Sequence, residues 1–569
     1  MDPHFLEDHW DALPSLKRLR DLGGLTRLAT TTPPQSPVAW STFITGADPE
    51  QHGVFDFVER DPDTGKIFSS LGETIESARR LEIGPYSLPL SKARVRVFRT
   101  GRSFWELLAD HNIPVTIMHM PTNYPPVDRG QALAGMGTPD LEGTYGAFTY
   151  YTDDTLTPAG AVSGGRIVTV QPAGNRVILP VEGPPNTLRR DRRSTQLNLI
   201  ADIDPDAHAM LGRIGDQQFI LRQGEWSPWI RVRFDLLPGV SRMAGMFRLY
   251  ARELSPSIRI YLSPLNIDPA DPALPVSAPA DFARQVSRRI GPYYTQGIPE
   301  DTSALRQGAL TLDDFLAQSR LIAADDQALL EDTLANFHEG FLFFYFSEID
   351  QDSHMLWGKH NAHLLETYQY VDRQVGRVLA QAAGATVIVM SDHGFAAFDR
   401  SVNLNTWLAG EGLQHKAYAL GLNALYINLA GREKNGIVQP GAERDQLARD
   451  LIDRLREFRD PATGQRVIEN VSRVGPSSSP FAPDLIVGYA PGYRASWETA
   501  LGESPSGIVE PNTDAWIGDH CIAAEAVPGV LLSGRPPRVA APRLKDLTVT
   551  ILKEFNIAPD RAMSGAPVY

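Results

Sequence analysis

Four short stretches hold residue types that could do chemistry together. The first is a hydroxyl-rich turn, Thr30-Thr31-Thr32-Pro33-Pro34-Gln35-Ser36-Pro37, which runs on through Thr45-Gly46 to Pro49-Glu50-Gln51-His52-Gly53. Ser36 stands just before a helix expected to begin near Pro37, and a helix N-terminus offers N–H groups and positive potential to an anionic phosphoryl group. Taken alone, the same hydroxyls would simply cap that helix. The second stretch is Phe341 to Asp350, followed by Gln351-Asp352-Ser353-His354. An Asp at a strand end and a His four residues later share a face if a helix starts between them. By itself the pair reads equally well as an N-cap and a surface histidine.

The third stretch is Thr386 to Met390, then Ser391-Asp392-His393-Gly394. It places two different donor atoms at a strand end, although Asp and Gly are also ordinary turn residues. The fourth is Trp516-Ile517-Gly518-Asp519-His520-Cys521, just before a strand expected at Val527 to Leu532. A lone His520 would more often be a satisfied loop residue than a ligand. Together the four are far more specific, because carboxylate and imidazole donors recurring at strand ends suit zinc or manganese better than a thiolate-rich structural site. Cys521 is the only cysteine, so no second thiol exists to build such a site, and it is expected to be buried and inert.

In the order Ser, Asp-x-x-x-His, Asp-His, His, the chain resembles the alkaline phosphatase superfamily and, within it, the type I phosphodiesterase/nucleotide pyrophosphatase branch. Thr31 to Gly53, Glu348 to Trp357, Ser391 to Phe395 and Gly518 to Cys521 carry the match, which spans residues 1–150 and 335–569. The resemblance implies two divalent metal ions, zinc with manganese as the alternative. Asp350, His354 and His520 would hold one, Asp392 and His393 the other, with Ser36 contacting the second. It further implies hydrolysis of a small phosphate ester, a phosphodiester or nucleotide pyrophosphate ahead of a monoester, through a phosphoseryl intermediate on Ser36.

Two departures from the family pattern stand out. The family takes a further metal-binding Asp from its first strand, in an apolar-run-Asp-Gly motif, whereas this sequence opens Met1-Asp2-Pro3. The expectation is that the strand and its Asp are encoded just upstream. Three residues after the nucleophile many nucleotide pyrophosphatases carry a phosphoryl-binding Asn; here Ala39 stands there. A sulfatase, which needs Pro and Arg at the second and fourth positions after its nucleophile, is disfavoured by Val38 and Trp40. A phosphomutase and a non-catalytic phosphoester-binding protein remain the alternatives.

The elements that must position these residues alternate. A helix at Phe104 to Asp110 precedes a strand at Ile113 to Met120, and a helix at Leu364 to Ala382 precedes a strand at Ala385 to Met390. Further on, a helix at Arg444 to Phe458 precedes a strand at Leu485 to Gly488. Such alternation predicts an α/β fold, a mostly parallel sheet covered by helices, as in alkaline phosphatase. Between these parts, Gly/Pro-punctuated runs such as Arg166 to Val170, Arg176 to Val181 and Trp229 to Phe234 predict an inserted β-rich subdomain. Asn266 to Pro279 reads as an exposed connector and Leu312 to Phe337 as a helix. The expected organisation is a catalytic core in two parts, 1–160 and 336–569, around an insertion at 161–335. Trp226 and Trp229 are expected to pack within it. Arg494 is a candidate for approaching the substrate, with a surface role as the alternative.

The chain has 569 residues, 42% hydrophobic, with 54 Lys and Arg against 68 Asp and Glu, a net charge of −14. That composition is globular, and the acidic balance argues against a nucleic-acid scaffold. No stretch reaches the length of a membrane span and no basic, apolar leader opens the sequence, so a cytoplasmic location is expected. Oligomeric state is not readable.

Overall fold

The computed structural model describes residues 1–91, 93–382 and 384–569. The elements that frame the site are, in chain order, β1 (Leu25–Leu28), α1 (Ser36–Thr45), β2 (Val115–Met120), β3 (Gln131–Ala134), α2 (Leu312–Asn336), β4 (Phe341–Phe344), α3 (Glu348–Leu356), α4 (Asn361–Gln381), β5 (Ile388–Met390), β6 (Gly529–Ser533) and α5 (Leu544–Glu554). The sequence-based boundaries agree to within three residues for α2, α4, β2 and β5, as they do for the helix Phe104–Asp110.

The central layer consists of two half-sheets. In one, β2 pairs in parallel with β3 and with β4; in the other, β6 runs antiparallel to β1 on one side and β5 on the other. β1 and β5 are therefore parallel to each other. β1, β4 and β5 all lead at their C-terminal ends into the stretches singled out above, which is where an open α/β sheet presents a ligand site.

Between β4 and β5 lies a slot. Each is the last strand of its half-sheet, and neither is fully buried along its length. The slot is a cavity of about 1010 Å³, lined by Phe341 to Phe346 on one side and Val387 to Met390 on the other, and reaching Asp350, Asp392 and Met1. Unpaired strand edges of this kind are a template for another strand.

Helices cover the layer because their apolar stripes face it. Trp40, Phe43 and Ile44 of α1 pack with Leu547 and Ile551 of α5 and with Ile117 of β2, while Leu364, Tyr368 and Val375 of α4 pack with Leu532 of β6. From Gly160 to Ala278 the elements among the described residues are all β strands. Arg176–Pro185, Ser194–Asp204, Ala209–Ile214 and Gln217–Arg222 form an antiparallel meander, and Ile230–Leu237 pairs with Ser241–Phe247. These strands share one apolar core with their neighbours. Trp226 stacks on Tyr250 with ring centroids 4.9 Å apart, and Trp229 packs against Tyr294 at 4.5 Å. Asn266 to Pro279 corrects the connector reading. Asn266–Ile267 and Ser277–Ala278 are buried strand segments paired to their neighbours, and exposure is confined to the turn at 270–275 and to Pro279. Pro and Asp dominate the composition there, but the short paired segments are held in the interior by their strand partners.

Gly529 opens β6 where its Cα faces the Ser391 backbone: an added Cβ would collide with the Ser391 carbonyl oxygen and press on the Asp392 carbonyl carbon. Gly529→Ala should therefore lower stability by about 1–3 kcal/mol, the usual effect of overpacking. A thermal melt checks this, and a melting temperature equal to wild type would show that the two chains can separate there.

Candidate active site

The four stretches converge at the C-terminal ends of β1, β4 and β5. Ser36 is the first residue of α1, and its Oγ lies 3.1 Å from His393 Nε2. The preceding residue fixes this turn. The buried Gln35 amide donates to Asp56 Oδ2 and to Asn423 Oδ1, both at 2.8 Å, and its Oε1 accepts from the Phe57 N–H at 2.9 Å. Asp56 in turn accepts the backbone N–H groups of Leu422 and Asn423. The expected cluster of N–H donors at this helix start is smaller than anticipated. Pro37 has none, and the Val38 N–H turns back onto the Gln35 carbonyl at 2.9 Å.

Asp350 and His354 occupy successive turns of α3, with His354 Nε2 3.8 Å from Asp350 Oδ2. Asp350, His354 and His520 each bring one donor atom within 4.8 Å of the others. Asp350 also reaches the other pair: its Oδ1 is 3.7 Å from His393 Nε2, which lies 3.4 Å from Asp392 Oδ2. The rings of His393 and His520 stack at 3.5 Å.

Backbone carbonyls set the protonation of all three imidazoles. His354 Nδ1 bonds the Gly518 carbonyl at 2.8 Å, His520 Nδ1 the Pro34 carbonyl at 2.6 Å, and His393 Nδ1 the Gly394 carbonyl at 3.1 Å. A carbonyl oxygen only accepts, so each Nδ1 carries the hydrogen and each Nε2 lone pair is free for the site. Burial favours the neutral ring. It lowers the pKa of His354 and, together with the neighbouring His520, drives that of His393 well below its ordinary value.

The carboxylates are left in the opposite condition. Asp350 Oδ1 and Asp392 Oδ2 are buried and accept no hydrogen bond. Burial first, and then the nearby Asp350, push the Asp392 pKa up to about 7. Orphan carboxylate oxygens beside three imidazoles whose Nε2 atoms face the site are the donor set of a zinc-type divalent site, and the residues fit such an ion. Asp519, His520 and Cys521 also lie together, but Asp519 is spent on other partners. Its Oδ1 accepts the His520 and Cys521 N–H groups at 2.7 and 2.8 Å, and its Oδ2 the Trp516 indole N–H at 2.8 Å. Burial, and then Asp519, raise the Cys521 thiol pKa well above its usual value, so no thiolate is offered.

Asp2 is likewise occupied, its Oδ1 capping the following helix through the His4 and Phe5 N–H groups. Arg494, expected beside the substrate or on the surface, does neither. It is 2% exposed and pairs with Asp519 Oδ2 at 2.5 Å. Gln35, Asp56, Asn423, Trp516 and Asp519 were not singled out as site residues in the sequence. Their one signal is polarity or aromaticity immediately beside a proposed ligand or nucleophile, and only for Gln35, Trp516 and Asp519.

The profile of the type I phosphodiesterase / nucleotide pyrophosphatase family matches residues 1–157 and 256–505. No curated protein sequence matches the chain. Among solved structures, phosphonoacetate hydrolase from Sinorhizobium meliloti is similar over 97% of this chain and 93% of its own, at 11% identity and a TM-score of 0.48. Human ectonucleotide pyrophosphatase / phosphodiesterase 5 is similar over 98% and 94%, at 10% and 0.41. Alkaline phosphatase PafA is similar over 100% and 96%, at 11% and 0.44.

The raised Asp392 pKa has a consequence for stability. Its folded value of about 7 lies above the unfolded value near 3.8. Folding therefore takes up a proton between these values, and stability falls as pH rises through the window. In chelator-treated protein, Asp392→Asn should raise Tm by on the order of 5 °C at pH 8 and by little at pH 4. Equal shifts at both pH values would show that the carboxyl is not perturbed.

Proposed function

The chain belongs to the type I phosphodiesterase / nucleotide pyrophosphatase family, and from that premise we propose that it hydrolyses phosphate esters, diesters or nucleotide pyrophosphates ahead of monoesters, with Ser36 as the nucleophile. The observation that carries the reading is the placement of the Ser36 hydroxyl, 3.1 Å from His393 Nε2 and beside the orphan oxygens of Asp350 and Asp392. Asp350, His354 and His520 would hold one divalent ion, zinc or manganese, and Asp392, His393 and Ser36 the other. Bound there, such ions lower the pKa of a coordinated hydroxyl and offset the charge of the phosphoryl oxygens.

The chain's own residues supply the rest. With His393 Nδ1 carrying its hydrogen toward the Gly394 carbonyl, the Ser36 O–H donates to Nε2 in the chain as it stands, and an ion held by Nε2 would take over that lone pair and meet the Oγ at the same point. As Oγ bonds to phosphorus its proton passes to solvent, the bond to the leaving alcohol or nucleotide breaks, and that group takes up a proton from solvent. Water then attacks the same phosphorus, the phosphorus–Oγ bond breaks, and the serine hydroxyl is restored. Ala39 is wholly buried in the α1 core cluster. Its position therefore presents no amide to a phosphoryl oxygen, which argues against carrying over the nucleotide preference of relatives with Asn there.

The same reading assigns the slot between β4 and β5 to one more strand, parallel to both and ending near Met1 and Asp392. Support comes from the two unpaired edges and from Met1 lining the cavity. A carboxylate at the end of that strand would complete the ligand set beside Asp392. A form extended before Met1 by an apolar strand ending in Asp-Gly should melt higher and bind zinc more tightly than the 569-residue chain. Unchanged melting and affinity would remove this assignment.

Ser36→Ala tests the nucleophile. It should keep the metal content of wild type while turnover of a chromogenic diester falls on the order of 10³-fold or more. A variant with most of its activity intact would take Ser36 out of that role.

A further inference from the structure

Two buried side chains, Arg494 and Asp519, and the half-buried ring of Trp516 lie outside the proposed ligand set and converge on two of its imidazoles. Asp519 Oδ1 holds the backbone N–H of His520 at 2.7 Å and Oδ2 holds the Trp516 indole N–H at 2.8 Å. The Trp516 ring lies face to face with His354, centroids 3.8 Å apart and planes 27° from parallel. Arg494 supplies the counter-charge, its Nε 2.5 Å from Asp519 Oδ2 and both side chains almost wholly buried. The guanidinium is itself seated on Trp497, 3.9 Å from the ring centroid. The stretch is pressed against α3: a Cβ on Gly518 would meet the Ser353 carbonyl oxygen at 2.5 Å and the Trp357 side chain at 2.6 Å.

The outer end of this arrangement is fastened from the middle of the chain. Arg306, at the end of the helix Thr302–Arg306, grips Asp514 with two nitrogens, Nε at 2.8 Å and Nη2 at 2.5 Å. Asp514 Oδ1 in turn accepts the Trp516 backbone N–H at 3.1 Å.

We propose that Arg494, Asp519 and Trp516 form a positioning bracket that fixes the ring orientations of His354 and His520. A single hydrogen bond at Nδ1 fixes where that atom sits but leaves the ring free to swing about the bond. The flat contact of Trp516 removes that freedom for His354, and the Asp519 carboxylate fixes the backbone from which His520 projects. Since the Asp519 charge is buried, it needs Arg494 beside it to be tolerated there. The same carboxylate thus joins both imidazoles to one anchored charge, so a change at Trp516 or Asp519 reaches ligand geometry without touching a ligand. Outer partners of this kind tune metal affinity by 10–100-fold.

The bracket rests on the metal-site reading above, and the test separates the two. Zinc affinity is measured by chelator competition on wild type, Trp516→Leu, Trp516→Phe, Asp519→Asn and Ser36→Ala, with the melting temperature of each chelator-treated protein alongside. Trp516→Leu should bind zinc about 10–100-fold more weakly at an unchanged melting temperature. Trp516→Phe, which restores a flat face, should recover most of the loss. Excess zinc should restore turnover to Trp516→Leu and not to Ser36→Ala, a rescue that a merely structural role would not give. Asp519→Asn should weaken zinc similarly; should it fail to fold, the two Trp516 variants still decide. If wild type binds zinc and Trp516→Leu binds it equally well, the bracket is overturned and the site reading stands. If wild type itself takes up no divalent ion, both fall together.

Discussion

The arrangement depends on one electrostatic condition: the buried Asp392 and the half-buried Asp350, each with an enclosed oxygen, lie beside each other with no basic side chain to match them. Among the described residues, their only ion-pair partners within 4.0 Å are histidines, His354 and His393. An unmatched ion in a low-dielectric interior is unfavourable by several kcal/mol. Polypeptide alone offers one way out, protonation, which is the direction in which Asp392 is displaced. A bound cation offers the other. Main-chain carbonyls fix which ring nitrogen of each imidazole carries its hydrogen, and burial keeps His354 and His393 neutral, so these two add lone pairs to the site and no competing positive charge. Carboxylates that repel and imidazoles held neutral by burial are poor partners for one another and good partners for a divalent ion.

That condition also explains why the ligands come from strand ends. β1, β4 and β5 deliver Ser36, Asp350 and Asp392-His393 to one edge of the layer, and the short strand Gly518–Asp519, paired with Ala396–Val402, brings in His520. Residues so far apart in the chain can be held to within a few tenths of an ångström only by paired strands. The slot between β4 and β5 is the weak point in this frame. The two carboxylates belong to strands on opposite sides of it, so their spacing depends on packing across a gap rather than on a continuous ladder of hydrogen bonds.

Much of this was legible in the sequence, and the reasons differ by residue. Asp392-His393-Gly394 after a β-branched run announces a strand end, because period and turn chemistry change within three residues. The Asp350–His354 spacing becomes meaningful once a helix starts at Glu348. The fold class was legible through alternation of helix and strand. Arg494 was not, because nothing local distinguishes an arginine aimed at substrate from one neutralised by an aspartate 25 residues away in the chain. Gln35, between two prolines and a serine, carries no sequence signal of its own, yet its amide ties the Ser36 turn to Asp56 and Asn423. The segment 266–279 was misjudged because its Pro and Asp content describes the exposed middle, while burial of its ends depends on strands that the sequence does not show to be adjacent.

The pairing of Arg494 bears directly on how an acidic protein can take an anionic substrate. A net charge of −14 repels a phosphate ester at long range. A guanidinium in the site would offset that locally, and Arg494 stood in the right stretch to provide it. Instead its charge is met by Asp519 in a buried pair, and Ala39 presents no polar group where a phosphoryl-binding amide would sit. What then faces the ester is the Ser36 hydroxyl, whose position is set by α1, and whatever charge the ligand groups hold. On the proposed two-ion reading, attraction and activation would be joined in the same ions. Without them the site is an anionic pocket that an anionic ester would avoid; with them it would be both the binding determinant and the source of the nucleophile.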